Sequence, residues 1–135
     1  MPRSSITPGS AQDWLTRAKG DLALARAPLP EGAFYQDLCF HSHQAAEKAT
    51  KAVYRHYGWK FRYTHDLNTL FTGLMKKAID IPPAILEADI LTGFAWEARY
   101  PGFGEPVTKE EFLDALVRAE TVVNWAGRLI ETSDD

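Results

Sequence analysis

One cysteine, Cys39, is the chain's whole supply, so no intramolecular disulfide can form and no cysteine-based metal site can be assembled. A reducing compartment fits such a sequence. Long apolar runs are missing too: no stretch approaches the roughly 20 residues that a membrane-spanning helix requires, and no membrane partner is expected. The leader from Met1 to Gly9 carries one arginine and no apolar core, which reads as neither a secretory signal nor an anchor. Cytoplasmic residence is the resulting expectation. A surplus of positive charge is also lacking. The net charge of -3 and the pI near 5.8 argue against a protein whose entire surface binds nucleic acid. Absent as well are a Ser-His-Asp order, a phosphate-cradling glycine loop and any metal-ligand spacing. The residues therefore name no catalytic group, no metal and no cofactor.

What is present is enough for one globular domain, since 135 residues with 45% hydrophobic and 24% charged side chains can bury a core. Residues 1–9 read as a flexible leader, 10–131 as a single helical domain and 132–135 as an acidic tail. Charge is unevenly spread. From Lys48 to Lys77 seven basic side chains face one acid, Asp66, whereas from Glu105 onward eight acids face three bases.

The pattern predicts helices and no strand. Ser10 is placed to cap a first helix with Trp14, Leu15, Ala18, Leu22 and Ala25 at three- and four-residue intervals, stopped by Pro28 and Pro30. Gly20 either costs about 1 kcal/mol relative to Ala or admits a close helix contact. Phe34 to Tyr57 predicts the longest early helix, with Leu38, Ser42, Ala45, Ala46, Ala49 and Val53 on one face, small enough for a neighbour to approach closely. Thr64 or Asp66 caps a third helix with the stripe Leu67, Leu70, Phe71 and Leu74. A fourth helix is expected from Ala84 to about Ala98, burying Ile85, Leu86, Ile90, Leu91, Phe94 and Ala95. Tyr100-Pro101-Gly102 breaks it, and Thr108 with Glu111 restarts the chain as a capping box, with Val107 and Phe112 as a hydrophobic staple. The last helix carries Phe112, Leu113, Leu116, Ala119, Val122, Val123, Ala126, Leu129 and Ile130. Four long helices and one shorter one define an all-α, up-and-down antiparallel bundle.

Several of these segments, taken together, resemble the HEPN domain, a small all-α bundle found alone or beside minimal nucleotidyltransferases. The resemblance rests on Trp14 to Ala25, on Cys39-Phe40-His41-Ser42-His43-Gln44-Ala45-Ala46-Glu47-Lys48-Ala49, on Thr64-His65-Asp66-Leu67, on Ala98-Arg99-Tyr100-Pro101-Gly102 and on the helix from Thr108 to Glu120. It covers about residues 11 to 130. Many members of that family are ribonucleases that use an Arg followed, after four to six intervening residues, by a His, with two copies facing each other in a dimer. No arginine here has a histidine at that separation. The resemblance therefore implies the other kind of member: a homodimeric nucleotide-binding module without enzyme activity of its own, partner to a separate nucleotidyltransferase as in toxin-antitoxin pairs.

The residues expected to hold such a ligand lie on two stretches. Lys48, Lys51 and Arg55 share one side of the second helix and, with Arg99, would hold phosphates; His41, Gln44 and Tyr100 would line the base of an ATP- or GTP-like nucleotide. Each has a plainer reading. Glu47 can pair with Lys51 on a solvated helix face, His41 and His43 can be satisfied core histidines, and Arg99 and Tyr100 can anchor a loop. His65 beside Asp66 stands at a helix start, where capping is the ordinary explanation. Trp14, Trp96 and Trp125 read as core, while Trp59, in a basic loop with Phe61 and Tyr63, suggests a contact surface. Two other functions remain open: a metal-independent ribonuclease toxin acting on RNA through Arg62 and His65, and a purely structural module in which the polar face of the second helix is an interface.

Overall fold

Capping chemistry sets where each helix begins. In the computed structural model, which describes residues 6–95 and 106–133, the Ser10 hydroxyl accepts from the amide of Asp13 (3.2 Å) and α1 runs Ala11–Ala25. Pro28 and Pro30 follow just past its end. Helix α2 runs Tyr35–His56, and Gly58 at φ +74 turns the chain out of it, a left-handed step that a side chain would oppose. Asp66 caps α3 (Leu67–Lys76), its carboxylate accepting from the Asn68 amide (3.2 Å) and the Thr69 hydroxyl (2.7 Å). The capping box forms as expected: the Thr108 amide donates to Glu111 (3.0 Å) and the Glu111 amide to the Thr108 hydroxyl (3.1 Å), opening Lys109–Ser133. We number that last helix α5.

The fourth element departs from expectation. Helix α4 is a single α-turn, Pro83–Leu86, and the chain then tightens into a 3-10 helix over Glu87–Ala95. Ile85, Ala88 and Leu91 are buried at intervals of three, which matches three residues per turn and not 3.6. Ile90, expected in the core, is 61% exposed for that reason. The rest of the expected fourth helix and the break at Tyr100-Pro101-Gly102 fall outside the described residues.

Helix α2 is the hub. It packs against α1, α5, α3 and the 3-10 segment. The seam Leu38, Ser42, Ala45, Ala46, Ala49 and Val53 is buried throughout, and its alanines let the neighbouring backbones close in. Leu15, Ala18 and Leu22 come from α1, Leu67, Leu70, Phe71 and Leu74 from α3, and Phe112, Ala119, Val122, Val123, Trp125, Ala126 and Ile130 from α5. A fully buried Leu or Phe of this kind contributes about 1.5–3 kcal/mol. Leu113, expected on the α5 stripe, instead faces outward. Gly20 makes no close contact, since a Cβ there would meet nothing within 4 Å. The fold is an all-helical bundle with no strand among the described residues, and no described helix is long and apolar enough to cross a membrane.

Candidate functional site

Asp21 is the buried acid of α1, and α2 supplies its counter-charges. Two side chains on one face reach it: His41 donates from Nδ1 to Oδ1 (3.1 Å), and Lys48 Nζ lies 2.6 Å from Oδ2. The lysine contact is an ion pair by distance, not an aligned hydrogen bond. A carboxylate buried in an apolar seam needs such a partner, because its desolvation is otherwise uncompensated. Lys48 and His41 are seven residues apart, two helical turns, which is why both meet the same acid.

This cluster borders a cleft of about 540 Å³ between the start of the described chain and α1, where Arg17, Gly20, Asp21 and Lys48 meet Pro8. On its other wall Asp13 accepts from the Gly9 amide (2.9 Å) and from Arg17 Nε (3.0 Å). The Gly9 amide first, and the guanidinium after it, hold the Asp13 carboxyl below its ordinary value. Gly20 leaves the floor bare of side chain. The cleft thus offers two cations, each steadied by a carboxylate and each with further N–H donors.

One turn along α2 the polarity is spent inward. Lys51 donates to Glu47 at 2.7 Å, and the two are only 6% and 4% exposed. Glu47 also accepts from His65 Nδ1 (2.8 Å), and His43, fully buried, donates from Nε2 to the His65 carbonyl (2.7 Å). The Lys51 ammonium sits over the rings of Trp14 (5.7 Å) and Phe61 (5.1 Å), while the Arg55 guanidinium lies over Phe61 at 4.6 Å. These residues fasten the connection between α2 and α3 onto the bundle.

The seven residues expected to form one site are therefore divided. Lys48 and His41 come together on Asp21; Lys51 is sealed beneath the 57–66 connection; Arg55 is exposed and stacked; Gln44 is half-buried. Arg99 and Tyr100 lie outside the described residues. His65 is engaged with Glu47, and Arg62 lines a separate groove on α3, so the pair considered for RNA cleavage does not share a pocket. Sequence reading missed Asp21, Asp13 and Arg17 as site residues. The available signal was the i, i+4 spacing of Asp13 and Arg17, together with an acid, Asp21, placed between apolar neighbours. Among the described residues no group of three or more His, Cys, Asp or Glu side chains gathers to hold a metal.

The described elements define an all-helical bundle as its class. The chain belongs to the HEPN domain family, whose model matches residues 11–129. It is similar to TT1696 from Thermus thermophilus, with 28% identity, a TM-score of 0.78, and coverage of 89% of this chain and 98% of that one. It is likewise similar to ST0689, described as an archaeal HEPN homologue, with 28% identity, a TM-score of 0.73, and coverage of 90% and 98%. No curated protein matches the sequence significantly.

Proposed function

We propose that this HEPN domain is a non-catalytic nucleotide-binding module that works beside a separate minimal nucleotidyltransferase, in a toxin-antitoxin-like or related two-component system. The observation that carries the reading is Lys48, held 2.6 Å from Asp21 at the wall of the cleft it shares with Arg17. Because carboxylates fix both cations, the donors are preorganised for phosphate oxygens; because those carboxylates also repel phosphate, affinity is modest. His41 lies beside them for a base or sugar. Isothermal titration of the purified chain with ATP, GTP and UTP tests this. Heat with at least one nucleotide, lost in Lys48→Ala, is the expected result; no heat with any of them at millimolar concentration overturns it.

A second reading is favoured by one specific observation, the burial of Lys51 with Glu47. A polar helix face that neutralises itself suits a structural role, with the homodimer or the partner contact as the function. Under that reading Lys48→Glu dissociates the assembly in size-exclusion chromatography with light scattering, and nucleotide titrations stay silent in the unmodified protein.

A further inference from the structure

The basic half of the molecule carries its least neutralised charge away from the cleft, on the connection after α2 and along the outer side of α3. A groove of about 310 Å³ there is lined by Arg62, Asn68, Thr69, Thr72, Gly73 and Lys76. Two cations, an amide and two hydroxyls line it, with no apolar side chain or acid among them; of the hydroxyls, that of Thr69 is already donated to Asp66 (2.7 Å). Such a lining suits phosphate oxygens. Among the described residues Arg62 and Lys76, and Lys60 beside them, are exposed and paired with no other residue, in contrast to Lys48, Lys51, Arg55 and Lys77, each of which meets a carboxylate or a ring. The nearest acid in the sequence, Asp66, is engaged in capping α3.

Two features decide what kind of anion fits. Asn68, Thr72 and Lys76 follow one another at i, i+4, so the row extends about 12 Å along the helix, longer than a single phosphate group. Next to Arg62 stands Tyr63, 95% exposed, with an edge contact to Phe61 (6.1 Å). An aromatic ring held outward among unpaired cations is a stacking platform for an unpaired base.

We infer that this face binds the backbone of a single-stranded nucleic acid, with phosphates along Arg62, Thr72 and Lys76 and a base on Tyr63. The site is separate from the Lys48 cleft, so neither depends on the other.

Fluorescence anisotropy of a dye-labelled oligouridylate titrated with the full chain tests the assignment, with inorganic polyphosphate as competitor. Binding is expected at low salt. The Arg62→Ala/Lys76→Ala variant is expected to weaken it about tenfold or more and to reduce the log-log salt slope by about 0.7 for each contact removed. Tyr63→Ala is expected to weaken binding about fivefold or more with the slope unchanged. Lys109→Ala leaves it unaltered. All the altered side chains on this face are exposed, and a circular dichroism spectrum matching the parent verifies the fold of each variant. No anisotropy change at low salt, equal affinity in Arg62→Ala/Lys76→Ala, an unaffected Tyr63→Ala, or displacement by polyphosphate as effective per phosphate as by unlabelled oligouridylate overturns the inference.

Discussion

Glu47 and Lys51 form an ion pair at 2.7 Å one helical turn apart, and both are buried. The same i, i+4 pair on a solvated helix is worth a few tenths of a kcal/mol. Burial makes the pair far more consequential, because removing one partner strands the other charge in a dry environment.

Glu47→Gln is therefore expected to destabilise the fold by about 3–5 kcal/mol, whereas Lys51→Met combined with Glu47→Gln loses much less. The combined variant still leaves His65 without its carboxylate acceptor, so full recovery is not expected. Urea unfolding of the parent, the two single variants and the double variant gives the coupling directly. Additive losses would mean that the pair is solvated and the burial argument wrong.

A close approach at Gly73 supplies the next expectation. The Tyr54 hydroxyl donates to the Leu70 carbonyl at 2.6 Å and occupies the space a Cβ at position 73 would need. Gly73→Ala gains helix propensity of about 1 kcal/mol but drives a methyl group into that hydroxyl, an overpacking cost of about 1–3 kcal/mol. Net destabilisation is expected. In a Tyr54→Phe background the clash with oxygen disappears and only the ring carbon Cζ, at 3.3 Å, stays close, so the Gly73→Ala penalty should shrink relative to that background. Denaturation midpoints for the four proteins decide it, and a Gly73→Ala penalty of equal size in both backgrounds would count against the contact.

These two sites show what could and could not be read from the chain. Helix existence was legible because amphipathic period and caps agree: Ser10, Asp66 and the Thr108-Glu111 pair all cap where their residue types suggest. The α2 seam was legible because alanines recur on one face. The stretch after Pro83 was not, since Ile85, Leu86, Ile90 and Leu91 satisfy a 3.6-residue stripe, and only Ala88, a weak marker, reports the three-residue period that prevails. The division of the candidate site was hidden for a different reason. A helical wheel places Lys48, Lys51 and Arg55 on one side, but it does not show that Asp21 arrives from α1 and that Trp14 and Phe61 cover Lys51. Those are partners from distant parts of the sequence, and helix periodicity carries no information about them.

Acid sensitivity follows from His43. Burial, the largest influence, holds its imidazole below the ordinary 6.5, outweighing the stabilisation of the charged form by the His65 carbonyl and by Glu47. Well above pH 6.5 both folded and unfolded chains carry this histidine neutral, and it makes no difference to stability. As pH falls below that value, the unfolded chain takes up a proton that the folded chain refuses, so stability declines, by at most about 1.4 kcal/mol per pH unit, until the folded-state value is reached. His43→Gln keeps an N–H for the His65 carbonyl and cannot titrate. Urea unfolding from neutral pH down to mildly acid pH should show the parent losing more stability than His43→Gln. Parallel pH profiles would remove His43 as the cause.

The reactivity of Cys39 is likewise decided by burial. It is completely covered, and its thiol is pushed up to about 12, first by desolvation and then by the Glu111 carboxylate. A thiol attacks disulfide reagents as the thiolate, and at neutral pH this one holds almost none. Native protein is thus expected to react with a chromogenic disulfide such as Ellman's reagent only as fast as the bundle opens, while protein in concentrated urea reacts at once. Glu111→Gln removes the second influence but keeps an amide oxygen to accept from the Thr108 N–H, so it leaves the capping box in place and should speed the native reaction only as far as the carboxylate itself restrains the thiol. The control is Thr108→Ala, which weakens the same cap without touching the charge. If only Thr108→Ala accelerates labelling, opening of α5 is the route to the thiol; if only Glu111→Gln does, the carboxylate itself restrains it.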